Sequence, residues 1–357
     1  MKKNKNLVLY FLTVILLAVF SISLFSLTKN GTNDGFGMIL PDQILISNDD
    51  SIYFVALGND KELTYLVEYD IALGNTRIIH KTTGVIKSVS LSKDNTKILF
   101  TLMEANPTIV SVIVYDLEQY KILSVLDSLK PHYKFGKFHA VDPDKYILLS
   151  LEANGTESNC IVNINSVTSD IPLYEIGFPC EGIMPIHDNT WCISSYNEIV
   201  FALSPRNTDH RIMKLNTDND EYSYIGSSLK RKKKEEYLSI TCAQKMFSAY
   251  RSLSKNEAVR LFEHGKSIKN IKITSNNLPY MELSSNGKYI AIAYIENGEY
   301  KIMDIINENV IAEIVIGGGT IFTWNDDSDA IYILSNYTEV IKYDIMKNET
   351  TKVYSIE

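Results

Sequence analysis

Leu91-Ser92-Lys93-Asp94-Asn95-Thr96-Lys97-Ile98-Leu99-Phe100 is the stretch that decides how the chain is read. An apolar residue enters a polar run, and an apolar strand leaves it. Asp and Asn tolerate left-handed backbone angles and bond their own backbone, so the polar run is a tight turn. The apolar residues beyond it suit a buried strand. The same frame returns at Ile46–Phe54, Val141–Leu148, Ile186–Ile193, Leu283–Ala291 and Trp324–Tyr332. A weaker copy lies at Ile240–Phe247, and the seven leading residues stand 41 to 54 positions apart. A second frame, an outer strand running into a turn, recurs at Val67–Ile71, Val114–Leu117, Ile302–Ile305 and Ile341–Ile345. Degenerate versions are Ile161–Ile164, Ile212–Leu215 and Val259–Phe262.

A period of this length with four short strands per unit predicts an all-β fold, a β-propeller of four-stranded antiparallel blades. One such sheet cannot cover both of its apolar faces, so neighbouring blades must stack. The copies predict seven blades, with six or eight left open where the middle copies are weak. One blade reads Ile86–Leu91, Lys97–Met103, Thr108–Asp116 and Tyr120–Leu126. The phase starts on an innermost strand and ends on an outermost one, which leaves no strand exchange to lock the ring. Phe36–Leu40 is an expected extra strand that could act as a clasp.

Among 357 residues, 45% are apolar and 22% charged, a globular balance rather than a disordered one. Four Cys in this length exclude a small disulfide scaffold. The net charge of −8 argues against nucleic acid as a partner.

Leu7 to Leu27 is a run of 21 residues without a charge, Gly or Pro. As a helix it spans about 31 Å, enough for a bilayer core. Lys2, Lys3 and Lys5 precede it, which places the N-terminus in the cytoplasm and the bulk outside. The expected plan is a cytoplasmic tail at 1–6, a transmembrane signal-anchor helix at 7–27, a linker at 28–41 and a propeller at 42–357. The alternative is secretion after cleavage of a signal peptide near Ser21-Ile22-Ser23.

The turn-then-strand units resemble the WD40-like repeats of TolB-type propellers, with their Ser-Pro-Asp-Gly-Lys turns. Leu91–Phe100 and Leu283–Ala291 are the nearest copies. The resemblance implies a propeller used as a binding platform and carries over no catalytic residue.

Chemistry-bearing motifs are sparse. The sequence holds no nucleophile elbow, Walker loop, zinc-protease helix motif or EF-hand loop. His132 and His139 are the nearest His couple and read as loop or channel-lining residues. Gly317-Gly318-Gly319 reads as a turn, and Lys230-Arg231-Lys232-Lys233-Lys234 as a solvated loop. No cofactor and no metal is expected. Counting back from each repeat into the innermost strand gives a candidate binding face of Asp42, Lys87, Lys137, Glu236, Tyr237, Tyr280 and Thr320. Its charge is mixed, which suits a polar protein or peptide surface. Cys160 and Cys180 lie at chain reversals on one face of adjacent units, so a disulfide between them is geometrically open. Cys192 and Cys242 are expected as buried free thiols in or beside second-strand positions.

The functional expectation is a membrane-anchored extracytoplasmic propeller, a non-catalytic platform for an unknown protein or peptide. Two alternatives stay open. One is a propeller hydrolase or lyase acting on a carbohydrate or lactone. The other is a ligand-sensing domain working through a membrane partner.

Overall fold

A computed structural model describes residues 35–47, 51–104, 110–128, 134–139, 141–154, 157–169, 173–179, 279–294, 298–316 and 321–356. Between 191 and 273 it describes the strands alone. All regular structure among these residues is β-strand, and every strand pairing is antiparallel. Among the described residues, none forms a helix long and apolar enough to cross a membrane; Leu7–Leu27 lies outside them.

Seven four-stranded sheets occur among the described residues, each with its strands in chain order; in the fifth, the strand Arg251–Ser252 of a separate two-stranded ribbon intervenes. We number the sheets in chain order and letter their strands A to D outward from the axis. Sheet 1 is Phe36–Ser47, Ser51–Gly58, Thr64–Asp70 and Asn75–Thr82. Sheet 2 is Val85–Leu91, Lys97–Met103, Val110–Asp116 and Lys121–Ser128. Sheet 3 is Lys134–Phe138, Lys145–Asn154, Glu157–Ser166 and Tyr174–Pro179. Sheet 4 is Trp191–Ile193, Glu198–Leu203, Arg211–Asn216 and Tyr222–Ile225. Sheet 5 is Thr241–Cys242, Met246–Ser248, Glu257–Glu263 and Lys266–Ile273. Sheet 6 is Pro279–Leu283, Tyr289–Tyr294, Glu299–Asp304 and Val310–Val315. Sheet 7 is Phe322–Trp324, Ala330–Ser335, Glu339–Asp344 and Glu349–Ser355.

The first repeated frame is the A–B turn, and three copies share one hydrogen-bond plan. Ser92 Oγ accepts from the Lys97 amide at 2.9 Å, and Ser284 Oγ accepts from the Tyr289 amide at 2.9 Å. In sheet 7, Asn325 Oδ1 accepts from the Ala330 amide at 3.0 Å. The fourth residue of each turn takes a positive φ: Asn95 at 58°, Gly287 at 68° and Ser328 at 62°. Asn and Gly suit that region, so the sequence signal had a conformational cause.

The second frame is the C–D turn. Asp70, Asp116, Asp304 and Asp344 each end a strand C, and each Oδ1 accepts the amide three residues on at 2.7–2.9 Å. Those bonds favour the ionised carboxyls: the Asn307 amide holds Asp304 below the usual carboxylate range, and the Lys347 ammonium together with its amide does the same for Asp344. The next residue locks the turn to its neighbour. Leu117, Ile305 and Ile345 donate their amides to Thr96, Lys288 and Asp329.

The core lies between sheets. Tyr53, Val55 and Leu66 of sheet 1 pack with Ile98, Phe100 and Ile113 of sheet 2. Leu99 and Val112 of sheet 2 pack with Phe138, Tyr146 and Leu148 of sheet 3. Sheets 6 and 7 share Ile302, Ile314, Phe322 and Ile333. Sheet 1 then meets sheet 7: Phe54 and Val67 pack with Tyr332, Leu334 and Val340. Among the described residues no strand is exchanged between these two sheets, so side-chain packing and a backbone bond join them.

Two expectations need restating. Phe36–Leu40 is the first half of strand A of sheet 1, not a separate strand. Its register with strand B shifts between Ile39 and Ile44, around Pro41, which has no N–H to give the ladder. It still reaches the last sheet, because the Ile39 amide donates to the Tyr337 carbonyl at 2.7 Å. In sheet 4 the repeat was mis-phased. Trp191–Ile193 is strand A, not strand B, and strand B is Glu198–Leu203. The stretch 180–190, with the expected Asp188-Asn189 turn, lies outside the described residues.

Candidate functional site at the central channel

The A strands are innermost, and polar side chains tie them to one another around the axis. Ser88 Oγ donates to the Gly136 carbonyl at 3.2 Å, and the Phe138 amide donates to Ser90 Oγ at 3.1 Å. These bonds join sheets 2 and 3. Gly136 permits the approach, because a Cβ there would stand 2.6 Å from Leu99 Cδ2. The Leu283 amide donates to Thr241 Oγ1 at 3.2 Å, joining sheets 5 and 6. Trp324 Nε1 donates to the Glu282 carbonyl at 3.1 Å, joining sheets 6 and 7.

Sheets 4 and 5 are joined covalently. Cys192 and Cys242 form a disulfide with Cα atoms 5.6 Å apart. The expectation of two free thiols is therefore corrected. The mis-phasing of sheet 4 hid the reason: both cysteines lie on A strands of neighbouring sheets, 50 residues apart. Adjacent repeats bring equivalent positions together.

The chemistry concentrates at Glu282. Met281 and Leu283 flank it and face the apolar cluster of sheet 6. Alternation along strand A turns Glu282 the other way, toward sheet 7. Its carboxyl accepts hydrogen bonds from the Thr323 hydroxyl and the Trp324 amide, and Lys137 of sheet 3 acts on it electrostatically. Its Oε2 is buried without a hydrogen-bond partner. Desolvation outweighs these favourable contacts and pushes the carboxyl up to about 8.

A stability prediction follows from that displacement. From about pH 4.5 to 8 the unfolded chain loses this proton while the folded chain keeps it. Stability must therefore fall as pH rises through that window, by at most about 1.4 kcal/mol per pH unit. Glu282→Gln should flatten the slope, as read by urea unfolding at pH 5, 6, 7 and 8. The depressed Asp94, Asp142, Asp304 and Asp344 act with the opposite sign and only in stronger acid. An unchanged slope in the Gln variant would refute the assignment.

The structure separates the expected binding face. Lys137 lies in strand A of sheet 3 and acts on Glu282, and Lys87 occupies strand A of sheet 2 with its side chain exposed. Asp42 lies in strand A of sheet 1, within the shifted register. Tyr280 leaves the channel: its ring meets Phe322 edge-on at 5.1 Å, between sheets 6 and 7. Glu236 belongs to a separate two-stranded ribbon, where it pairs with Arg251. Tyr237 and Thr320 lie outside the described residues, as do Cys180, His132, Gly317–Gly319 and the basic run 230–234. Cys160 sits in strand C of sheet 3. His139 Nδ1 accepts the amides of Val141 and Asp142 at 3.3 and 3.1 Å, so it shapes the A–B turn of sheet 3. Glu282 was missed, although an acid between Met281 and Leu283 in an innermost strand was a readable signal.

No family model matches the sequence, and no curated protein does. Solved structures do. The propeller domain of the trilobed protease from Pyrococcus furiosus, described as having an open velcro topology, superposes with a TM-score of 0.62 at 11% identity. That match covers 90% of this chain and 97% of the other. A prolyl endopeptidase gives 0.65 at 11% identity over 90% of this chain, which spans half of that protein. The propeller domain of Myceliophteria thermophila Cps50 (Swd1) gives 0.57 at 11% identity, covering 84% of this chain and 96% of the other. These identities bear on fold alone. Consecutive four-stranded sheets, packing from sheet to sheet and the likeness to solved propellers together make this chain a β-propeller.

Proposed function

We propose that this protein is a seven-bladed propeller, anchored in the membrane by Leu7–Leu27 and displayed on the outer side as a non-catalytic platform for a protein or peptide. The observation that carries the reading is the Cys192–Cys242 disulfide. Structural disulfides persist in oxidising compartments and are rare in the cytosol. The apolar run after Lys2, Lys3 and Lys5 supplies the export signal. Orientation follows from strand A of sheet 1. The Gly35 carbonyl accepts from the Asn59 amide in the B–C turn of sheet 1, so strand A of sheet 1 starts on the face of the B–C turns, which this reading puts toward the membrane. The A–B and C–D turns then face away from the membrane.

Two measurements test the reading together. A tag after Glu357 should be accessible to protease in intact cells, and full-length protein extracted in detergent should retain one saturable partner during affinity capture. A protected tag would overturn the topology. Capture that fails to saturate would overturn the platform.

A further inference from the structure

Glu282 of sheet 6 packs against sheet 7 and feels a cation from sheet 3. Its carboxyl docks on Thr323 and Trp324 of sheet 7, its backbone carbonyl receives the Trp324 indole, and Lys137 of sheet 3 stands within electrostatic reach across the channel. The groups packed around it are few. Thr241 from sheet 5 accepts the amide of Leu283 beside it, Tyr289 stacks on Trp324 at 6.2 Å, and Tyr280 lies on its own strand against Phe322. Lys137 is the charged side chain that acts on it. One carboxyl oxygen is thus occupied by sheet 7, while Oε2 is buried and has no hydrogen-bond partner among the described residues.

We propose that Glu282 is a proton-operated latch between sheets 6 and 7 at the waist of the channel. Protonated, it stays seated against Thr323 and the Trp324 amide. Ionised, it cannot leave a bare charge on a dry, partnerless oxygen. It turns into the channel toward Lys137 and exchanges its docking on sheet 7 for an ion pair with sheet 3. The proton leaves to solvent, and the channel waist gains one negative charge. Any acidic ligand entering the channel would then lose attraction as the latch opens. The latch does not depend on the membrane topology or the partner proposed above.

Trp324 reports the step, because its indole and amide both touch Glu282. The chain has two Trp, so full-length Trp191→Phe protein isolates the Trp324 emission. A pH titration from 6 to 10 should show a reversible emission change with a midpoint near 8. Glu282→Gln in the same background should abolish it. Lys137→Met should move the midpoint upward, because it removes the cation that favours the carboxylate. A glutamate that titrates in place would also shift with Lys137→Met, because the lysine already acts on the seated carboxyl, but its midpoint would rise with Thr323→Val. Should Glu282→Gln fail to fold, Lys137→Met and Thr323→Val still decide: Lys137→Met removes the partner of the ionised form and should raise the midpoint, whereas Thr323→Val removes docking of the protonated form and should lower it, and a rise with Thr323→Val overturns the latch. A flat wild-type titration, or a midpoint indifferent to Lys137, overturns the latch.

Discussion

Phe54→Ala should unfold at a markedly lower urea concentration, with a loss of about 3–5 kcal/mol, the usual cost of emptying a large aromatic site. Phe54 is 1% exposed, and its ring centroid lies 4.9 Å from that of Tyr354 at the end of strand D of sheet 7. Around the pair stand Tyr332, Leu334 and Val340 from sheet 7 and Ile39, Ile44 and Val67 from sheet 1. This cluster is the seam between the two ends of the chain. Among the described residues no shared strand spans the seam, so packing and the Ile39–Tyr337 backbone bond carry what a shared ladder would otherwise supply. The Ile39 amide, bonded to Tyr337, is the reporter. Its hydrogen exchange should accelerate more than the global destabilisation requires. Phe100→Ala is the control, since Phe100 is equally buried but lies between sheets 1 and 2. It should cost a similar amount while Ile39 exchanges only in proportion to global stability. Equal acceleration in both variants would show that the seam has no separate opening.

Removing the Cys192–Cys242 bridge should have an effect of the same order. The bond closes a 50-residue separation, for which the chain-entropy account gives about 4 kcal/mol. The loss should appear in Cys192→Ala/Cys242→Ala protein, and in the parent protein under reductant. The variant should lose the part of the reductant effect that this bridge carries, so reductant should shift its transition less than the parent's. Sheets 4 and 5 should suffer first, because the bridge ties their A strands directly. A double variant as stable as the parent would mean that inter-sheet packing already restrains this region.

Much of the fold was open to reading because its determinants are local. Asn95, Gly287 and Ser328 adopt left-handed angles inside turns that begin with Ser92, Ser284 and Asn325. Asp116 and Asp304 close C–D turns with amides three residues away. Such bonds depend on a few neighbouring residues, so their signature survives as a short pattern. Sheet 3 shows the limit. His139 occupies the turn position that Ser holds elsewhere, and Val141, which led the expected frame, is 57% exposed. In sheet 4 the mistaken phase moved Cys192 to the wrong strand and concealed its partner.

Repeat length, the turns and the four-stranded unit were determined by the sequence alone, because each is set by bonds within about 50 residues. Only the tertiary structure decided which innermost side chains meet. Lys137 and Glu282 stand 145 positions apart in the chain and act on one another only when the sheets are arranged around an axis. Tyr280, two residues from Glu282, turns instead against Phe322. Strand alternation assigns each residue to one side, but the neighbouring sheet decides whether that side is dry, aromatic or charged.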